Sequence, residues 1–402
     1  MTGNPYLKPD IKKIIIYSIL TLLVLLFIND IFFSGKNKQW DLQVYYYGAL
    51  AHSKGLNPYD STKVSKLAPV NFKFVYLPAA LYFFKPLNLF EYNTAAVIYS
   101  IIQVLLLLYL FVLWKKYFLE KEFDTLFLVF CFFAFNSTVL IDFVTGNISI
   151  IEQAFLWTAF YFLLKRKPAL FCIFVMLISF VKIVPVVLLL LLLFTNIKDR
   201  LKYIAGSFLI FIVYILYNVI FESVLFSGFI DNLRELDYGG ISNPTAYTFT
   251  REILFIINKE ISLPYVFGIN VIIYLLYAAV LIYFNYKAIN VYKKNNPAPN
   301  YKMLLFFGIC TYVLLLPRFK SYSFILLIVP AYYLLKNIKL NKYYIALLAL
   351  FLLTSGSSIP GYIFLNTFWN IFWSYYPFLL CVLMYIFYYK LIKDNSPELK
   401  NI

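Results

Sequence analysis

The segment Trp40–Asp60 reads WDLQVYYYGALAHSKGLNPYD and follows the first long apolar run of the chain, Ile14–Phe33. In it Asp41 stands among aromatic and amide side chains, and His52 is the only histidine of the protein. The closing Asn-Pro-Tyr-Asp is typical of a turn or a helix start. A carboxylate just beyond a membrane helix has two interpretations, a general base or a helix N-cap, and the sequence alone leaves both open.

The composition determines the class of fold. Hydrophobic residues make up 62% of the 402 residues, charged residues make up 13%, and the mean hydropathy is +0.78. No soluble chain of this length needs so much apolar surface. The sequence therefore predicts an all-α polytopic membrane protein with about twelve transmembrane helices. We treat 1–402 as a single membrane domain with a first outer region at 34–92, carrying juxtamembrane helices, and a large late outer loop at 221–264.

The apolar runs place the crossings. They fall at about 11–33, 93–114, 123–141, 147–165, 168–181, 183–195, 201–222, 264–287, 301–316, 320–336, 341–356 and 375–392. The run 72–88 is short and flanked by prolines, which favours a re-entrant or interfacial segment. Lys182 and Pro185 favour two short helices over 168–195, because a single helix would place a lysine near the bilayer centre.

The net charge of +16 does not indicate nucleic-acid binding, because of where the charges lie. Most lysines and arginines cluster between apolar runs on one predicted side, which is the positive-inside pattern. That side is therefore the cytoplasmic one, and both termini are predicted to lie there. The single histidine excludes a multi-histidine zinc site. We expect no metal and no cofactor.

Polar residues in or near the apolar runs share the opposite, outer side of the predicted topology. This predicts a common polar cavity facing outward. The residues are Asp41, His52, Lys73, Asp142, Asn147, Glu152, Lys182, Arg251, Arg318 and Lys320.

Several members of this set have two interpretations each. His52 is either a substrate contact or the polar face of an interfacial helix. Asp142 is either a second acid or the end of a loop. Arg318 and Lys320 either hold a phosphate or extend toward the interface as membrane-border cations do.

Short motifs along the chain carry a family resemblance. They are Asp41-x-x-x-Tyr45-Tyr46, Gly55-x-Asn57-Pro58-Tyr59, Phe74-x-Tyr76-x-Pro78, Gly146-Asn147-x-Ser149, Lys182-x-x-Pro185 and Pro317-Arg318-x-Lys320-x-Tyr322. In this order the chain resembles the polyprenol-phosphate-mannose-dependent mannosyltransferases of glycosyltransferase family 87, which have the GT-C fold.

The resemblance implies a cell-membrane enzyme whose active site faces away from the cytoplasm. Its partners would be a polyprenyl-phosphate-linked sugar donor, with mannose as the sugar, a lipid or glycan acceptor and membrane lipids. Asp41 would be the base of an inverting reaction. Lys182, Arg318 and Lys320 would hold the donor phosphate. The substrate-binding candidates are His52, Tyr45, Tyr76, Asp142, Asn147, Arg251 and Tyr322.

Two other functions compete with the transferase. A lipid or glycan transporter or flippase would use the same cavity without a base, although we find no internal symmetry typical of transporters. An oligosaccharide-lipid polymerase would suit a long catalytic loop at 221–264. The position of Asp41 distinguishes these functions, because the transferase requires Asp41 to face the cavity that holds Arg318 and Lys182.

Overall fold

A computed structural model describes residues 18, 21, 39–69, 72–120, 124–235, 240–257, 263–296, 300–337, 341–352 and 367–394. Within these ranges every regular element is helical and no strand occurs. The predicted all-α class is therefore confirmed. The first predicted crossing, 11–33, lies almost entirely outside the described residues.

Most of the described residues lie in α-helices. In chain order they are α1 Trp40–Ser53, α2 Ser61–Val64, α3 Ala79–Phe84, α4 Tyr92–Leu113, α5 Thr125–Thr145, α6 Ser149–Leu164, α7 Pro168–Ser179, α8 Arg200–Phe221, α9 Ser223–Glu235, α10 Ala246–Ile257, α11 Leu263–Asn295, α12 Tyr301–Leu315, α13 Ile328–Asn337, α14 Asn341–Leu352, α15 Thr367–Ser374 and α16 Tyr376–Asp394. Shorter-pitched 3₁₀ segments cover Lys85–Leu89, Val184–Phe194, Gly240–Ser242 and Ser321–Leu327, and a π segment, Trp114–Leu119, extends α4.

Membrane-spanning character is clear in five helices of the described part. By length and apolarity α4 with its π extension, α5, α8, α11 and α16 are able to cross a bilayer. Three shorter apolar α-helices, α6, α7 and α12, and the 3₁₀ segment Val184–Phe194 accompany them. The polytopic class is thus confirmed, and each later predicted crossing coincides with a helical element. Several of these elements are shorter than the roughly 20 residues of a straight crossing.

The helical backbone is interrupted at two places within predicted apolar runs. Helix α5 leaves helical geometry at Ala134 and continues through Phe135, Asn136 and Ser137, which all have positive φ. Such left-handed backbone is strained for non-glycine residues and recurs at functional sites. The second break separates α7 from the 3₁₀ segment and contains Lys182, as the sequence predicted.

The late outer region is more regular than predicted. Most of 221–264 was expected to be a turn-rich loop, but α9 and α10 occupy much of it. Asn232 of α9 donates hydrogen bonds from its side-chain amide to the carbonyl oxygens of Tyr59 (2.9 Å) and Phe74 (3.0 Å). This helix is therefore fastened to the first outer region and closes one wall of a cavity.

Candidate active site

A cavity of about 450 Å³ lies between the start of α1, the extended segment 72–77, the break after α7 and the segment 318–323. Its charged and hydroxyl-bearing lining combines two acids with several cations and tyrosines. These residues are Asp41, Lys73, Tyr76, Glu152, Lys182, Tyr312, Arg318, Lys320 and Tyr322. Asp41 therefore faces the same cavity as Arg318 and Lys182.

Asp41 does not cap its helix. The N-cap of α1 is Gln39, whose φ of 61° lies in the left-handed region, and Asp41 is the second residue of the first turn. Its carboxylate accepts a hydrogen bond of 2.7 Å from Asn147 Nδ2. The N-cap interpretation is therefore wrong. The carboxylate contacts Asn147 and also borders the cavity.

The orientation of the Asn147 amide is determined by its neighbours. Its Oδ1 accepts hydrogen bonds from the Ser149 backbone nitrogen (3.0 Å) and Ser149 Oγ (2.8 Å). The amide NH₂ must then point to Asp41, and it also lies 3.2 Å from Tyr45 Oη. Tyr45 Oη in turn lies 2.8 Å from Tyr76 Oη, which borders the cavity. Asn147 and Tyr45 thus support Asp41 and Tyr76 from behind.

The environment makes Asp41 more basic than an ordinary aspartate. Burial raises the pKa of its carboxyl group, while the hydrogen bond from Asn147 and the charge of Lys320 partly oppose this rise. Burial also raises the pKa of Tyr45 and Tyr76, so both remain neutral hydroxyls. A carboxylate with a raised pKa at a cavity wall is suited to take a proton from a substrate hydroxyl.

Asp142 lies behind the cavity rather than in it. It is fully buried, and its Oδ2 accepts from Gln103 Nε2 (3.2 Å) and the Ile150 backbone nitrogen (3.3 Å). Gln103 Nε2 also lies 2.9 Å from the Asn147 carbonyl oxygen. Asp142 is thus not part of the cavity lining, and its hydrogen bonds lie beside the turn that carries Asn147. Its substrate contact stays a prediction. Gln103 was missed, although a lone amide within an apolar run was a usable signal.

The cations reach the cavity from two elements. Arg318 and Lys320 line the cavity from one short segment, together with the largely buried Phe319 between them. This segment is fixed by the late outer region. The Phe319 backbone nitrogen donates to Asn243 Oδ1 (2.7 Å), and Thr245 Oγ1 donates to the Pro317 carbonyl (3.1 Å).

His52 and Arg251 do not line the cavity. The His52 ring instead meets the Tyr82 ring edge-on, with 5.2 Å between the ring centroids. Arg251 lies on α10. The substrate contacts of these two residues stay predictions, as does the interfacial interpretation of His52. Tyr322 does line the cavity, as predicted.

Gly146 sets the approach of α1 to the α5–α6 turn. Its φ is +65°, and a Cβ atom there would lie 2.8 Å from Gln39 Cβ and 2.9 Å from Leu42 Cβ. Gly146→Ala should push the start of α1 away, displace Asp41 and lower the activity by about 10²-fold. The measurement is initial rate together with thermal unfolding. Gly206→Ala is the control, because open space surrounds Gly206, and equal rates in the two variants would contradict this role.

The fold and this charged cavity define a polytopic membrane protein with a polar site between its helices. A family model, Glycosyltransferase family 87, matches residues 74–317, which is more than half of the chain. The protein is therefore a membrane glycosyltransferase, and it belongs to glycosyltransferase family 87. No curated protein and no solved structure matches the chain. The matched range contains Tyr76, Asn147 and Lys182, whereas Asp41 precedes it and Arg318 follows it.

Proposed function

We propose that the protein transfers a sugar from a polyprenyl-phosphate donor to a hydroxyl group of a lipid or glycan acceptor, with mannose as the sugar. The observation that carries this proposal is the shared cavity of Asp41, Lys182, Arg318 and Lys320. A base and a group of cations around one cavity match the two needs of such a reaction. The choice of donor and sugar follows the family resemblance.

The mechanism follows from these positions. Asp41 takes the proton of the acceptor hydroxyl as its oxygen attacks the anomeric carbon. The bond between that carbon and the phosphate oxygen breaks, the electron pair leaves with the phosphate, and the configuration inverts. The donor phosphodiester carries one negative charge, and the monophosphate that leaves carries nearly two. Lys182, Arg318 and Lys320 are placed to stabilise the charge that develops, and the scheme uses no metal.

The orientation of the cavity belongs to the same proposal. The positive-inside pattern assigns Lys165–Lys167 to the cytoplasmic side and the Asp41 region to the outside of the cell membrane, with both termini cytoplasmic. Nucleotide sugars are not supplied on that outer side. A sugar carried on a membrane lipid is a donor that reaches it.

Cysteine labelling tests this orientation. We expect Ser65→Cys to react in intact cells with a thiol reagent that cannot cross membranes, and Lys167→Cys to react only after permeabilisation. Both positions are exposed, and the four native cysteines are buried, so background labelling should be low. Labelling of Lys167→Cys from outside would reverse the assigned orientation.

The function itself is tested by incubating purified protein with radiolabelled polyprenyl-phosphate-mannose and a membrane lipid extract. We expect label to move into a product other than the donor. The matched donor carrying glucose tests the sugar. Transfer from neither donor, by a folded protein, would contradict the proposal.

A further inference from the structure

An ion pair in the cavity wall joins two residues that are both within apolar runs. Lys182 Nζ lies 2.5 Å from Glu152 Oε2, and the side chains are 17% and 5% exposed. The same ammonium lies 3.3 Å from Ser323 Oγ and 5.8 Å from the centre of the Tyr322 ring. Lys182 is therefore held at a defined place by Glu152, a hydroxyl group and an aromatic face.

The pair is not explained by packing alone. Burying an ion pair costs desolvation energy, and well-packed apolar residues often serve stability as well or better. Glu152 and Lys182 also both line the cavity rather than an isolated core. The position of the acid beside the phosphate-binding cations points to a role in the reaction.

The charges of the cavity suggest what that role is. Its lining contains four cations, Lys73, Lys182, Arg318 and Lys320, and two acids, Asp41 and Glu152. The surplus of positive charge favours the phosphate that leaves over the donor phosphodiester, because the product carries nearly one more negative charge. A site that holds its product more tightly than its donor is slowed by that product.

We propose that Glu152 is a positioning residue that moderates the charge of Lys182, so that the prenyl monophosphate product is released. This inference rests on the proposed function. Glu152 holds the ammonium where it meets the developing phosphate charge. As a neighbouring anion, Glu152 also opposes the retention of the dianion after the sugar has been transferred.

Glu152→Gln separates this role from a structural one. Glutamine keeps the size of the side chain and an oxygen that accepts from Lys182 Nζ, but it removes the negative charge. Damage to the site would weaken binding of every ligand. Our inference predicts the opposite sign: tighter binding of a prenyl monophosphate, with a lower kcat.

The probe is farnesyl phosphate, used as an inhibitor of sugar transfer by the detergent-solubilised full chain. We expect it to inhibit Glu152→Gln at concentrations about tenfold lower than wild type. Uncharged farnesol should inhibit both equally, and Glu152→Asp, which keeps the negative charge, should not become more sensitive to farnesyl phosphate even if its rate falls. Asp199→Asn removes an exposed acid elsewhere and should change nothing.

Equal or weaker inhibition of Glu152→Gln, with its thermal unfolding unchanged, would overturn the role of Glu152 and leave the proposed function intact. A wild-type protein that transfers sugar yet is insensitive to farnesyl phosphate would overturn the inference alone, whereas a folded protein that transfers no sugar would contradict the proposed function. If farnesol also inhibited Glu152→Gln at tenfold lower concentrations, the prenyl tail and not the phosphate charge would explain the tighter binding. That result would also overturn the inference.

Discussion

Asp41→Asn is expected to lower sugar transfer by about 10²–10⁴-fold, the usual contribution of a general base. Asparagine keeps the shape of the side chain and accepts a hydrogen bond from Asn147 Nδ2, but it does not take up a proton at neutral pH. Folding and donor binding should therefore persist while the rate collapses. The measurements are kcat, donor affinity and thermal unfolding of the same preparation.

The pH dependence of the wild-type enzyme gives the same residue a second readout. The base must be ionised, so kcat/KM should fall as the pH falls through the pKa of Asp41. Because burial raises that pKa, this fall should occur above the pH of about 3.9 at which a free aspartate titrates.

Asp231→Asn is the matched control, since Asp231 is exposed on α9 and does not line the cavity. Near wild-type transfer by a folded Asp41→Asn protein would end the case for this base. Glu152 would then be the remaining acid of the described cavity lining, because Asp142 is buried behind it.

The sequence predicted the parts of the site that depend on local signals. Lys182 with Pro185 marked the break after α7, because an ionisable residue and a proline both disfavour a continuous membrane helix. Pro317 follows the predicted crossing 301–316, and α12 ends at Leu315, as expected before a proline. Order along the chain was sufficient to recognise the resemblance to the family.

The parts of the site that the sequence did not predict depend on contacts between helices that are distant in sequence. Glu152 and Gln103 lie in helices whose partners are distant in sequence, and no local pattern pairs Glu152 with Lys182 or Gln103 with Asp142. The left-handed residues Phe135–Ser137 were equally invisible, because none of them is glycine. The late outer region 221–264 was predicted as one large loop, although helices α9 and α10 occupy much of it.

Arg318→Gln should raise the donor KM by about 10–100-fold, since a hydrogen bond to a charged group contributes about 1.5–3 kcal/mol. Lys320→Gln should act in the same direction, and the double variant should lose more than either single one. Arg318→Lys should fall between wild type and Arg318→Gln, because lysine keeps the charge but not the two-pronged geometry.

Lys202→Gln is the control for loss of a positive charge. Lys202 is 81% exposed, pairs with Asp199 three residues earlier and does not line the cavity. The informative comparison is between donor and acceptor. If Arg318 holds the donor phosphate, its loss should leave the acceptor KM nearly unchanged, whereas a collapsed cavity would raise both. An unchanged donor KM in a folded Arg318→Gln protein would remove this residue from the phosphate site. Lys182 and Lys320 would then stabilise the developing charge without Arg318. Inhibition by farnesyl phosphate should then depend on those two residues alone.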